Sequence, residues 1–330
     1  MGSTLDMQHR IDLDSPRWDQ STFAGRLRHF FWMTDPRTAL VSTSRLYEAR
    51  DLVLKYKAGQ EPPGTTEEEV WYAKKLYTSA FHPDSGELQN VIGRMSFQVP
   101  GGMLLTGCML QFYKTNSAVV FWQWMNQSFN ALVNYTNRNA ESDLTTKKIM
   151  VAYVSATTCA LVTALGLKGT LARRAPPMVQ RFVPFVAVAS ANVVNIPLMR
   201  QSELTDGIAV FDENGNKITE SRYAAVKGIS QVVASRIVMA APGMTLLPFL
   251  MEYLEKFQWM QRMKAFHAPL QVLLCGAFLT FMTPTACALF PQRCSITTDK
   301  LSILDGNKLS AIRSKYGPNT PKILYFNKGL

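Results

Sequence analysis

The sequence predicts an all-α protein: a multi-pass membrane helical bundle of about five transmembrane helices, preceded by a polar, helical N-terminal region. Three observations carry that expectation. Charge is spread unevenly along the 330 residues, so a mean hydropathy of −0.02 averages a polar part with an apolar one. Beyond Arg94, long uncharged stretches alternate with short charged ones, several near the roughly 20 residues that cross a bilayer. Polar residues inside one of these stretches recur at helical spacing. The chain divides into residues 1–94 (polar, helical), 95–292 (transmembrane helical domain) and 293–330 (C-terminal tail).

The N-terminal region carries 12 Lys/Arg against 13 Asp/Glu, so the net charge of +11 arises entirely from the later, apolar part. A basic rim on apolar segments suits membrane lipids, anionic headgroups included. No Arg/Lys-aromatic groove and no zinc spacing supports nucleic acid as partner. Asp6, Asp12, Asp14 and Asp19 argue against a signal peptide and an acid-poor presequence, so any organelle address is expected to be internal. Four of five cysteines fall within apolar runs, which reads as buried apolar side chains rather than a disulfide framework.

Within residues 1–94, Asp35 followed by Pro36 predicts a capped helix over residues 36–57. Thr66 with Glu69 forms a capping-box pattern opening a second helix to about Ser79. Gly59, Pro62, Pro63 and Gly64 mark the linker between them, and His82 to Gly86 reads as a turn.

The five candidate spans are residues 95–113, 149–167, 182–199, 228–251 and 265–292. A sixth uncharged segment, 115–137, is rich in Asn, Gln and Trp; it either spans, re-enters or lies along the interface, where Trp122 and Trp124 are at home. Five spans place the termini on opposite sides of the membrane and six on the same side. Lys/Arg bias does not decide orientation, because both sets of loops are basic. Residues 200–227 form a polar loop, with Asp212 to Gly215 as a tight turn or hairpin.

The strongest chemical feature is a polar stripe on the sixth segment: Gln123, Gln127, Asn130, Asn134 and Asn137, at steps of four, three, four and three, flanked by Asn126 and Ser128. Amides in hydrocarbon must meet protein, water or solute. Helix–helix glue, an interfacial wet face and a solute path all satisfy that requirement. The 182–199 span carries Ser190, Asn192 and Asn195 before Pro197 and Arg200. Proline weakens a helix there, and broken helices build solute sites. Arg200 either grips a carboxylate or anchors to headgroups. Arg236 sits among Val232, Val233, Ala234, Ile237, Val238 and Met239 with no acid in its span, Glu252 being too far along. Its counter-charge is either a substrate carboxylate or a salt bridge from elsewhere. The candidate substrate-binding residues are thus Gln123, Gln127, Asn130, Asn134, Asn192, Asn195, Arg200 and Arg236, with no metal and no cofactor expected. Pro242, Pro248 and the Thr283-Pro284-Thr285 run are further helix breaks.

Catalytic signatures are absent. The four histidines, His9, His29, His82 and His267, are far apart, and no H-x-x-x-H, C-x-x-C or P-loop spacing occurs.

Several strings resemble the sideroflexin family: PRWDQSTF (16–23), TDPR (34–37) and AFHPDSGE (80–87) at the N-terminus, then FWQW (121–124), NQSFN (126–130) and NYTN (134–137). NIPLMRQ (195–201), AAPGM (240–244) and the closing YFNKGL (325–330) extend the match nearly end to end. Ser85, Ser117, Pro100-Gly-Gly102 and Val193-Val194 depart from the usual family sequence, leaving the polar stripe and both arginines in place. The resemblance implies a five-span protein of the mitochondrial inner membrane that transports small neutral amino acids. Serine import for one-carbon metabolism is the foremost role it implies, since YFNKGL looks most like the serine-transporting members. The alternative is a non-transporting scaffold that docks protein partners through residues 1–94, none of them identified by the sequence.

Overall fold

The computed structural model describes residues 10–82, 85–137, 145–174, 176–262 and 264–329 of the chain. The N-terminal region holds α1 (Phe23–Met33), α2 (Thr43–Ala58) and α3 (Glu67–Ala80). Asp35 accepts from the Arg37 amide with Pro36 at the first helical position, but the helix it opens is a 3-10 turn, Pro36–Leu40. The helix expected over residues 36–57 is therefore split, with α2 starting afresh after Ser42. The Thr66 capping box forms in both directions: Glu69 N donates to Thr66 Oγ1 at 3.3 Å and Thr66 N to Glu69 Oε2 at 2.8 Å. Leu46, Val53, Val70, Trp71 and Phe81 then bury against one another as a separate core. Beside it, Lys75 Nζ lies 2.6 Å from Asp35 Oδ2, both side chains 10% exposed.

The turn after α3 closes through Gly86 N donating to the His82 carbonyl and His82 N to that of Glu87. Gly86 takes a left-handed φ of 65°, which only glycine adopts cheaply. Pro83 and Asp84 of this turn lie outside the described residues.

The bundle comprises α4 (Gln98–Phe112), α5 (Asn116–Thr136), α6 (Thr146–Arg174), the single turn α7 (Pro177–Gln180), α8 (Val183–Met199), α9 (Gln201–Asp206), α10 (Arg222–Leu254), α11 (Gln258–Arg262) and α12 (His267–Ala288). Ile149–Thr170, Arg222–Leu254 and His267–Ala288 are long and apolar enough to cross a membrane, and Val183–Met199 is a shorter apolar helix. α4, at 15 residues, reaches about 22 Å, short of the roughly 30 Å hydrocarbon core.

Neighbouring helices run antiparallel. A Cβ on Gly102 would meet Leu279 and one on Gly107 would meet Val272, which fixes α4 against α12. Phe129 faces Gly101, and Ser128 Oγ lies 3.0 Å from Tyr153 Oη, so α5 runs between α4 and α6. It traverses the bundle rather than lying across its end. Ala164 clusters with Val183 and Ala187, and Val188 with Met244, which sets α6 against α8 and α8 against α10. Among the described residues six helices thus pass along the bundle, and α1 returns to the end of α12, where Arg26 Nε donates to the Ala288 carbonyl at 2.9 Å.

At that same end stands a four-stranded sheet that the sequence signalled only at its hairpin. β1 (Ile208–Phe211) and β2 (Lys217–Ser221) form the expected hairpin, with Gly215 at φ 84°. β3 (Arg293–Thr297) and β4 (Ile323–Asn327) come from the tail and complete the order β2-β1-β4-β3. α13 (Gly306–Tyr316) covers one face, burying Leu309 and Ile312 with Val210, Ile296, Leu324 and Phe326. Asp305 anchors this unit to the bundle by accepting from the amides of Arg222 (2.8 Å) and Tyr223 (3.2 Å) at the start of α10. Burial pushes the Asp305 carboxyl up, but those bonds and the ones from Ser221 and Arg222 outweigh it and hold it below the usual carboxylate range.

Candidate functional site

A cavity of about 760 Å³ opens between α4, α5, α8, α10 and α12 and extends to the sheet, where Ile208, Ala209 and Glu220 line it. Asn130, Asn192, Asn195, Arg200 and Arg236 line it, joined by Gln98, Thr106, Asn126 and Thr283. Its mouth carries Glu203, Asp206 and Glu220, together with Asn327 and Gly329 of the C-terminal segment. Its inner end is apolar: Met109, Val188 and Met244 pack together, nearly fully buried.

Helix register orders the polar groups by depth. Val188 against Met244 puts Asn195 level with Arg236 and Ile237, two turns above that floor. Arg236 lies eight residues before Met244, about 12 Å along α10. The α4–α12 register sets Gln98 level with Thr283, and Gly243 against Phe278 puts that level about half a turn below Arg236. Asn126, one turn past Phe129 and its partner Gly101, is deeper still. The guanidinium therefore stands at the throat rather than at the floor. α10 begins six residues earlier than the span read from the sequence, at Arg222, and its first turns project beyond the bundle to carry the sheet.

Arg236 has no carboxylate within ion-pair distance among the described residues. Glu252 is engaged elsewhere, 3.4 Å from Arg181, whose Nη1 also donates to the Pro248 carbonyl. Arg200 is different. Its Nε donates to Glu203 Oε1 at 2.9 Å and its Nη1 to the Lys328 carbonyl at 2.9 Å. Arg200, offered by the sequence either as a carboxylate grip or as a headgroup anchor, lines the cavity with its charge met by Glu203 and its donors tying down the chain end.

The polar stripe divides as well. Asn130 and Asn137 face the cavity. Asn137 also bonds Gln89 and the Gly93 carbonyl, closing the end of α5 against the start of the bundle. Gln123 and Gln127 do not line the cavity; both are buried between helices. Gln123 Nε2 donates to Tyr113 Oη at 2.8 Å, so it acts as glue between α4 and α5. Asn134 belongs to α5, but its side chain lies outside the described residues. Gln98 and Asn126 are the lining amides that the sequence did not single out. Gln98 stood alone at the head of a span, and Asn126 was noticed only as a neighbour of the stripe.

Proline falls within α8 (Pro197), α10 (Pro242, Pro248) and α12 (Pro284), and each helix continues through it. All five cysteines are unpaired, and no metal-binding group of three or more His, Cys, Asp or Glu exists among the described residues.

Fold and cavity together define a polytopic helical membrane protein with a polar chamber between its helices. Comparison with known proteins gives the family: the model described as Sideroflexins matches residues 12–330. Sideroflexin-2 of Bos taurus is 59% identical over 320 residues, covering 97% of this chain and 98% of that protein. Sideroflexin-2 of Drosophila melanogaster is 58% identical with the same coverage, and sideroflexin-1 of Homo sapiens 52% over 327 residues, 98% of this chain and 99% of its own. The chain belongs to the sideroflexin family. No solved structure matches it.

Proposed function

We propose that this protein carries small neutral amino acids across the mitochondrial inner membrane, with serine imported for one-carbon metabolism. The observation that carries the reading is Arg236. A permanently charged guanidinium faces a 760 Å³ chamber in an apolar bundle, with no carboxylate among the described residues to neutralise it. Such a group is costly unless something entering the chamber supplies the opposite charge, and the carboxylate of an amino acid does so. The amides of Asn130, Asn192 and Asn195 suit the remaining polar atoms of a zwitterion, and Asp206, exposed at the mouth, attracts its ammonium. Prolines inside α8, α10 and α12 each remove a backbone hydrogen bond, and helices weakened in this way suit the movement that alternating access requires.

The test is uptake of radiolabelled serine by liposomes containing the purified protein. Accumulation above empty vesicles, reduced by unlabelled serine, supports transport; the absence of any excess contradicts it. Docking of a protein partner through the N-terminal region remains the second reading, favoured by Leu40, which is 90% exposed on a region with its own core. It requires that removal of residues 1–94 abolish function while flux through the chamber is unaffected.

A further inference from the structure

α1 descends along the outer side of α12. Arg26 Nε bonds the Ala288 carbonyl at the end of α12, and five residues on Phe31 meets Phe281 edge-on, ring centroids 6.0 Å apart. Phe281 is 62% exposed and lies seven residues inward from Ala288, about 10 Å along the axis. α12 has 22 residues, about 33 Å, which matches the roughly 30 Å hydrocarbon core. The Phe31 ring therefore stands at hydrocarbon depth on the outside of the bundle, and it is itself exposed. The chain then turns back. The 3-10 turn Pro36–Leu40 packs against Met95–Phe97 at the head of α4. The Gly102–Leu279 contact sets Met95, seven residues before Gly102, level with Ala286, close to the end of α12. Leu40, the last residue of this turn, is 90% exposed. Arg28 is exposed on the same face of α1 as Phe31, nearer the end of α12, with no carboxylate partner among the described residues.

We infer that α1 and the turn after it form a lipid-docking surface on the leaflet at the sheet end. Phe31 sits among the acyl chains, Leu40 at their edge, and Arg28 against the phosphate of an anionic phospholipid. Continuity carries the assignment: the exposed side of Phe31 extends the lipid-facing side of α12 without a break. Helices that lie in a membrane interface bury their apolar face about 5–10 Å into it, the depth at which Phe31 stands. The apolar stem of an arginine lets its guanidinium reach back to the headgroups, and anionic lipids attract it there. A protein covering Leu40, the second reading above, gives no account of a ring held beside Phe281. The docking is independent of the cargo.

The test places a nitroxide, carried on p-acetylphenylalanine, in place of Phe31, Leu40 or Glu67 of the full-length protein. Glu67, exposed in the first turn of α3, is the water-facing reference. In nanodiscs of phosphatidylcholine and phosphatidylglycerol, power saturation compares collisions with oxygen, which concentrates in lipid, and with a nickel chelate, which stays in water. The oxygen-to-nickel ratio is expected to be several-fold higher at Phe31 and Leu40 than at Glu67, and highest at Phe31. Ready collision with nickel at Phe31 or Leu40 overturns the assignment. So does scarce collision with both reagents at Leu40, the signature of a protein or a second copy of this chain covering it. Thermal midpoints in nanodiscs test the charge. Adding phosphatidylglycerol to phosphatidylcholine is expected to raise the wild-type midpoint, and Arg28→Gln to shrink that gain. An equal gain in Arg28→Gln contradicts the placing of Arg28 at a phosphate.

Discussion

Arg200 and Lys328, 128 residues apart, are joined by a 2.9 Å hydrogen bond from the Arg200 guanidinium to the Lys328 carbonyl. Glu203 holds the same guanidinium in place from one turn away. The bond fastens the end of β4 beside the mouth of the chamber, where Asn327 and Gly329 form part of the wall. Lys328 itself is 2% exposed, and burial lowers its ammonium pKa from the ordinary lysine value.

Removing this tie is expected to loosen the tail. Arg200→Ala should cost about 2 kcal/mol, the range for a hydrogen bond to a charged group, and should speed protease cleavage within residues 320–330. Limited proteolysis followed by mass spectrometry reads the effect. A tail equally resistant in Arg200→Ala and wild type contradicts the role given to the bond.

The N-terminal core contains a pH-sensitive support. Burial pushes the Asp35 carboxyl up, but hydrogen bonds from Arg37 and Lys75 outweigh it and hold it well below the usual carboxylate range. A carboxyl whose pKa is lower folded than unfolded stabilises the fold above its unfolded value, near 3.9, and loses that contribution as pH falls toward the folded value. Asp35→Asn should therefore lower stability at pH 7 by about 3 kcal/mol, since it leaves the buried Lys75 unpaired. The gap to wild type should narrow progressively below about pH 4. Thermal midpoints of both proteins between pH 7 and 3 check the sign.

Close helix contact makes a sharper prediction about glycine. A Cβ on Gly107 would stand 2.7 Å from Val272 Cα, a backbone atom that cannot step aside. Gly107→Ala should force α4 and α12 apart and destabilise by about 1–3 kcal/mol. Gly166 in α6 has no atom within 4 Å of such a Cβ, so Gly166→Ala should be neutral or stabilising by up to about 1 kcal/mol. Comparable losses for both substitutions would show that the α4–α12 contact is looser than the register implies.

Much of this architecture was legible because its signals are local. The Thr66–Glu69 box and the Asp212–Gly215 turn form within a few residues, and both stand where the sequence put them. The sheet was not legible as a whole, because Phe211 pairs with Tyr325 across more than a hundred residues and no periodicity announces that partner. In the chamber, spacing gave the polar face of α5 but not its neighbours. Gln123 and Asn130 share that face, yet one meets Tyr113 and the other meets open space. The Arg200–Glu203 pair had a signal that went unread: Glu203 follows at the three-residue spacing that pairs charges on a helix.

The central claim is that Arg236 receives the cargo's carboxylate. The most direct measurement is initial-rate serine uptake into liposomes by wild type, Arg236→Ala and Arg236→Lys at matched protein content. Loss of a paired charge in a partly buried site costs about 2–4 kcal/mol, a rate reduction of some 30-fold or more. Arg236→Ala is therefore expected to be nearly inactive and Arg236→Lys to recover part of the rate. An Arg236→Ala protein that folds normally and takes up serine at the wild-type rate would contradict it.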